Sequence, residues 1–414
     1  MRRRQILIAL AGALGLGAAR AGWGQRPGEL APWADARPAP TELRVLMKAE
    51  ANRHPYSVPA VMSHDGAIVL AGAGGGKPDL FAWEAASGRS LYTTERRGEM
   101  PINAIALSHD GSRVAIKTPA RLEMINNGVA HNGFHSGCLV RILDAATGLP
   151  MAGADGRPLE PAASFGPMAF AAGGVLRYLD VLGRLTTWDP AGGRPEVWPD
   201  EAPKGEDDWP CGCGIFGWSS SYRPSASADA GRWAMLLEPQ GEMRLARRLR
   251  LWDVAARKLR EIDMNDLIGR PIAPHTVTVS PDGRRLMVCY DEVRIMENGD
   301  QLVSGQLSWA LIDFDTAKAV DHLHVRKGEL RYLHFMAFSP DGSEIIAVVT
   351  LNPREDDSVI SAWDLGTGRP TAAYRTPGPV RDVAFLPGGR LRVLVGGVSA
   401  RSPLAVWDMP TRDP

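Results

Sequence analysis

The stretch "VTVSPDGRRLMVCY" at residues 277–290 decides the fold. A short apolar run leads into Ser-Pro-Asp-Gly, and a second apolar run leaves it. Pro281 presets φ at the second turn position, Asp282 bonds back to the backbone, and Gly283 accepts a left-handed conformation. Such a turn between two apolar runs makes a β-hairpin. The pattern recurs: "SHDG" at 63–66 and 108–111, "SADAG" at 227–231, and "SPDG" again at 339–342. "AAGG" at 171–174 and "LPGG" at 386–389 are weaker copies, which brings the number to seven.

A second motif interleaves with the first. It reads "AWEAASG" at 82–88, "ILDAATG" at 142–148, "TWDPAGG" at 187–193 and "LWDVAAR" at 251–257. "DFDTAKA" at 313–319, "AWDLGTG" at 362–368 and "VWDMPTR" at 406–412 complete the set. In each, a strand ends in an aromatic or apolar residue and an acid, and the chain then turns. The acids are assigned as Glu84, Asp144, Asp189, Asp253, Asp315, Asp364 and Asp408. Each repeat therefore holds four strands, a to d, with tight a–b and c–d turns. Almost no segment has helical periodicity. Seven copies of a four-stranded antiparallel unit predict an all-β chain folded as a seven-bladed β-propeller.

The chain resembles the WD-repeat family of propellers. Trp188-Asp189, Trp252-Asp253, Trp363-Asp364 and Trp407-Asp408 carry the resemblance, together with the Ser-Pro-Asp-Gly turns. It spans about residues 42 to 412 and implies architecture more than function. The Gly-His dipeptide that opens many of the family's repeats occurs nowhere, so the network its His joins is not implied. The likeness is to a divergent, exported bacterial type.

The seventh repeat supplies strands a ("VRDVAFLPGG"), b ("RLRVLVGG") and c ("PLAVWDMP") but no d. A spare strand, "ELRVLMKA" at 42–49, precedes the first repeat. It is expected to fill the vacancy and close the ring, which leaves fewer open edges.

Residues 1–21 read as a signal peptide: Arg2, Arg3 and Arg4, then an apolar run from Ile6 to Ala18, then Ala19-Arg20-Ala21. Arg3-Arg4-Gln5-Ile6-Leu7 also resembles a twin-arginine export signal. The apolar run is too short for a spanning helix, and no later run is long enough. Residues 22–41, rich in Pro, Gly and Ala, read as an irregular leader, and 42–414 as the propeller. The expected location is periplasmic or secreted. Removing residues 1–21 takes away four arginines and no acid, leaving 43 basic against 47 acidic residues. No basic run suggests nucleic acid or an anionic membrane surface.

Antiparallel blades put the a–b and c–d turns on one face of the disc and the b–c and d–a connections on the other. The long segments all fall in the second class, at about 118–137, 237–247 and 291–306, and at about 152–162, 197–222 and 263–274. That loop-rich face is the expected functional surface. It carries "NGVAHNGFHSGC" at 127–138 and "DDWPCGCGIFGW" at 207–218. His131, His135, Cys138, Cys211 and Cys213 therefore share one face. Trp209 and Trp218 are out of register with the blade tryptophans. They either pack the connection down or present aromatic surface to a partner.

In an oxidising compartment Cys138, Cys211 and Cys213 are disulfide candidates, as Cys138 with either of the others or as a strained Cys211–Cys213 ring. The same His and Cys donors suit copper or zinc. But no zinc-finger spacing is present, and no metal or cofactor is expected. Cys289, in an inner strand, reads as a buried inert thiol. No Gly-x-Ser-x-Gly, His-Glu-x-x-His or phosphate loop occurs. The expected function is non-catalytic binding of a protein partner through the loop-rich face, with a glycan as a further ligand class and a monomeric state. The alternative is an enzyme or electron-transfer subunit, related in architecture to periplasmic amine or quinoprotein dehydrogenase propellers.

Overall fold

One hydrogen-bond set builds five of the seven a–b turns. Ser63 Oγ donates to Asp65 Oδ1 at 2.6 Å and accepts the Ile68 N–H at 2.9 Å. Asp65 Oδ1 accepts the Ala67 N–H at 2.9 Å, and the Gly66 N–H returns to the Ser63 carbonyl at 2.8 Å. Ser108, Ser227, Ser280 and Ser339 repeat the pattern with Asp110, Asp229, Asp282 and Asp341. The other two turns have neither Ser nor Asp. They use Gly173-Gly174 and Gly388-Gly389, all at positive φ, where side chains are strained.

These turns sit in a computed structural model that describes residues 36–37, 43–47, 59–72, 80–94, 102, 104–119, 138–152, 164–180, 185–190, 195–198, 225–237, 248–295, 301–324, 332–352, 357–376, 378–396 and 403–411. Seven antiparallel blades of the four-stranded plan form a ring; among the described residues six have four strands, blade 2 has three with a bridge in the fourth place, and nearly every element is a strand. Blade 1 is Ala60–Met62, Ile68–Gly72, Leu80–Glu84 and Ser90–Thr94. Blade 2 runs Ala104–Leu107, Arg113–Pro119 and Cys138–Asp144, with Pro150 bridging Leu143 on its outer side. Blade 3 is Ser164–Phe170, Leu176–Asp180, Leu185–Trp188 and Glu196–Val197. Blade 4 is Ser225–Ala226, Arg232–Leu237, Arg248–Asp253 and Lys258–Asp263. Blade 5 has the longest strands: Ile272–Val279, Arg285–Ile295, Gln301–Asp313 and Lys318–His324. Blade 6 is Tyr332–Phe338, Glu344–Asn352, Asp357–Asp364 and Arg369–Thr376. Blade 7 is Val380–Leu386, Arg390–Val395 and Leu404–Pro410, and Arg44–Met47 lies antiparallel along its outer side. A five-residue helix, Met264–Ile268, enters blade 5, capped by the Asp263 side chain and ended by Gly269 in the left-handed region.

The core lies between blades. Each of seven apolar clusters joins two neighbours. Leu70, Leu80 and Ile116 join blades 1 and 2, and so on round to Leu394, Val406 and Val69, which join blades 7 and 1. The Trp309 and Trp363 rings meet edge-on at 4.9 Å between blades 5 and 6. Trp188, Trp252, Trp363 and Trp407 are all buried, as their repeat position requires. One register differs from the sequence reading. The acid ending strand c of blade 5 is Asp313, opposite Arg285, and not Asp315. Asp313 accepts the Thr316 N–H at 2.7 Å, as Asp364 accepts that of Thr367. Phe314 between the two acids is fully buried, where blades 1 and 2 have Ala85 and Ala145. The aromatic residue before Asp315 mimicked the Trp-Asp pair of the other repeats.

A second device recurs that the sequence motifs did not show. An arginine early in strand b donates to the carbonyl of the next blade's turn. Arg113 reaches Gly174 at 3.2 Å, Arg232 reaches Gly283 at 3.0 Å, and Arg285 reaches Gly342 at 3.0 Å. Arg177 reaches Ala230 in the same way. Arg392 of blade 7 reaches Gly66 of blade 1 at 2.8 Å. Five of the seven seams are clasped at the a–b end.

The last of these sits in a larger cluster. Arg392 grips Asp408 with two bonds, at 2.7 and 2.9 Å. Arg44 of the N-terminal strand reaches Asp408 at 3.1 Å, and Arg390 at 3.0 Å. Arg44 pairs in register with Val406, while Leu46 and Met47 pack into the cluster shared by blades 7 and 1. Further upstream the Arg37 N–H donates to Ala373 at 3.0 Å, so part of the stretch read as leader runs along blade 6.

Deleting residues 42–49 removes this packing and bares the outer edge of Leu404–Pro410. The melting temperature should fall by about 10 °C or more, read by circular dichroism. Asp408→Asn leaves three guanidiniums without their carboxylate and should cost about 2–4 kcal/mol at neutral pH. Burial raises the Asp408 carboxyl's pKa, but the bonds and charges of Arg392 and the charge of Arg44 outweigh it and hold it below the ordinary 3.8. A carboxyl depressed in the fold contributes stability that is complete above its unfolded value and is lost as pH falls through the folded one. The gap between parent and Asp408→Asn should thus be widest near neutrality and narrow below about pH 4.

Candidate functional site: the loop-bearing end of the ring

Strand direction assigns every residue to an end. Strand b starts at the a–b turn, so its last residues lie at the opposite end, as do the first residues of strands a and c. At the a–b end the turn hydroxyls, turn carboxylates and clasping arginines have structural partners within the ring. The other end carries the long connections, among them residues 120–137 between strands of blade 2 and residues 198–224 between blades 3 and 4.

Of the residues chosen from sequence, His131, His135, Trp209, Cys211, Cys213 and Trp218 lie outside the described residues. Cys138 is the first residue of strand c in blade 2, opposite Pro119, so its backbone belongs to the loop-bearing end. Its side chain lies outside the described residues, and so does every disulfide pairing considered for it. Cys289 is free and fully buried, and burial pushes its thiol well above its ordinary value. It is inert, as its place in a packed strand requires.

Sequence reading missed a charged group at this end of blade 5. Ile272–Val279 enters from the connection, and Arg285–Ile295 leaves toward the b–c hairpin. His275 Nε2 lies 2.9 Å from Asp291 Oδ2, which pins the ring to strand b. Arg270, just after the helix, pairs with Glu292 at 2.7 Å and approaches the Tyr290 hydroxyl at 3.5 Å. Burial and the Glu292 charge raise the Tyr290 phenol above its ordinary value, against the opposing pull of Arg270. The ribbon then continues, pairing Val293 with Val303 and Ile295 with Gln301, beyond the last residue paired to strand a. The signal was legible in part. "VCYDEVRI" starts as an apolar strand and then places two acids where a packed strand would continue apolar.

Chemically this group offers charge and hydrogen bonds. Among the described residues it holds no hydroxyl or thiol nucleophile against His275, and no set of three metal-ligating side chains occurs. No helix among them is long and apolar enough to cross a membrane.

No family model matches the chain, and no curated protein matches it by sequence. Solved structures do share its fold. It is similar to a chain of Kuenenia stuttgartiensis hydrazine synthase, with a TM-score of 0.53 and 13% identity over 86% of this chain and 96% of that one. It is also similar to a chain of the mitotic checkpoint complex, with a TM-score of 0.53 and 15% identity over 93% of this chain and 97% of that one. At such identities the likeness shows the fold alone: a seven-bladed β-propeller.

The two ends should respond differently to mutation. Arg270→Ala, at the loop-bearing end, should change stability by about 0.5 kcal/mol or less. Arg285→Ala, at the clasped end, should cost about 1–2 kcal/mol, because it leaves the Gly342 carbonyl without its donor. Urea unfolding of the two variants beside the parent makes the comparison.

Proposed function

We propose that this chain is an exported, non-catalytic propeller that binds a protein partner with the loop-bearing end of its ring. One observation carries the reading: the division of polar work between the two ends. At the a–b end the turn carboxylates take up turn hydroxyls and backbone N–H groups, and the arginines take up the next blade's turn carbonyls, which holds the blades in place. Variation there would cost stability. The b–c and d–a connections carry the length, and the charged group of blade 5 stands beside them. A rigid ring presenting variable loops at one end is suited to recognition by surface complementarity. Propellers occur in multiprotein assemblies, and the likeness to a mitotic checkpoint complex chain is consistent with this use. Location in the periplasm or outside the cell rests on the signal-like residues 1–21.

A second reading is an enzyme or electron-transfer subunit, favoured by the likeness to a hydrazine synthase chain. The two readings part on purification. A protein partner predicts a colourless protein as purified; a bound organic or haem-like chromophore overturns the binding-module reading. The direct test is affinity capture from the periplasmic extract of the source cell. The parent should retain a discrete partner. Shortening 198–224 should reduce capture about tenfold or more, while Arg285→Ala should leave it unchanged in folded protein. Equal capture by the shortened chain overturns the assignment to this end.

A further inference from the structure

Two seams lack the arginine clasp, and one of them holds something else. Between blades 1 and 2 the position of the clasping arginine is Ile68. Among the described residues beyond its chain neighbours, none comes within 4 Å of where a Cβ would stand on Gly111, whereas the equivalent Gly174, Gly283 and Gly342 each meet an arginine. The second residue of the a–b turn is His in these two blades only. The others have Ala172, Ala228, Pro281, Pro340 and Pro387. His64 and His109 thus face each other across the seam. Their ring centroids lie 4.5 Å apart, tilted by 36°. Both residues are exposed.

We propose that His64 and His109 form a two-imidazole site for a divalent transition metal ion of the copper, nickel or zinc type, bridging blades 1 and 2 at the a–b end. Imidazole is the side chain these ions share as a preferred ligand, and copper binds such nitrogen sites most tightly. The rings approach from two separate turns, each fixed by its own Ser–Asp set. Their backbones are therefore rigid, and only side-chain rotation is needed to converge on one ion. Asp65 and Asp110 do not compete through Oδ1, which already accepts the Ser63 and Ser108 hydroxyls and the Ala67 and Ser112 N–H groups. Water fills the remaining coordination positions, so the site is open and of moderate affinity. A bound ion would join the seam that the missing arginine leaves unclasped. The site lies at the opposite end from the proposed partner surface, so either proposal can fail without the other.

The test adds cupric or zinc chloride to chelator-stripped protein. The melting temperature should rise and saturate at one ion per chain. His64→Gln and His109→Gln should each weaken binding by about tenfold or more, since each removes one of two ligands. Both positions are exposed turn residues, so the metal-free variants should melt within about 2 °C of the parent. A second readout needs no variant: substoichiometric copper should broaden the His64 and His109 ring resonances before those of the other histidines. A shift that survives in the double variant overturns the site. So does one abolished by His131→Gln and His135→Gln instead, or broadening that begins elsewhere.

Discussion

The grip of Arg392 on Asp408 and on the Gly66 carbonyl is the interaction on which the ring depends. A propeller has no central core; its apolar contacts lie between blades, so each blade is held only by its two neighbours. A ring of this kind must be shut, or the first and last blades each expose a full packing face. Here the shut seam lies between blades 7 and 1. Arg392 belongs to strand b of blade 7, Asp408 to strand c, Arg44 to the N-terminal strand, and Gly66 to the turn of blade 1. One carboxylate thereby links residues from both ends of the chain. The Arg392 and Asp408 side chains are only 11% and 12% exposed, so the attraction is little screened by water, and two parallel bonds fix its direction.

The same logic explains why the clasp recurs at five seams but not at all seven. An arginine costs side-chain entropy to fix and is worth keeping where a turn carbonyl would otherwise go without a donor. Between blades 6 and 7 the position is Glu344, which is buried, and the Thr371 hydroxyl donates instead to the Thr411 carbonyl at 2.8 Å. Between blades 4 and 5 the clasp has grown. Arg232 pairs with Asp315 at 2.7 Å and lies over the Phe314 ring, as Arg260 also does. Each seam thus solves one geometric problem with the residues its repeat supplies.

The architecture was legible because it is written seven times. A Ser-x-Asp-Gly turn is a local motif with a fixed hydrogen-bond set, and a Trp at a constant offset marks a buried slot. Both survive as patterns in one dimension. The clasping arginines did not show, because the turn carbonyl each one meets lies 51 to 61 residues away, or 326 for the ring-closing Arg392, and the arginine's offset from its own turn varies. Arg285 stands two residues after its turn glycine, Arg177 and Arg392 three. Asp315 was mistaken for Asp313 because an aromatic residue precedes it, although burial of Phe314 decides the register. The blade 5 charges were harder still. Arg270, His275 and Asp291 are unremarkable singly and acquire meaning only when two strands and a connection bring them together.

The distribution of irregularity round the ring bears on function. Blades 5 and 6 have long strands and intact Ser-Pro-Asp-Gly turns. Blade 3 has the Ala171-Ala172-Gly173-Gly174 turn, a four-residue strand c and a two-residue strand d. The longest connection leaves blade 3, and another long segment lies within blade 2. A blade with fewer ladder bonds opens more easily than its neighbours. In an open sheet such a weak unit would fray. In a shut ring it is held from both sides, so a weak sector can carry long insertions at little risk to the whole. Closure by Arg392 and Asp408, across the ring from blades 3 and 4, is therefore what permits elaboration there. The seam that gives the fold its integrity and the sector that carries its longest connections stand on opposite sides of the same circle.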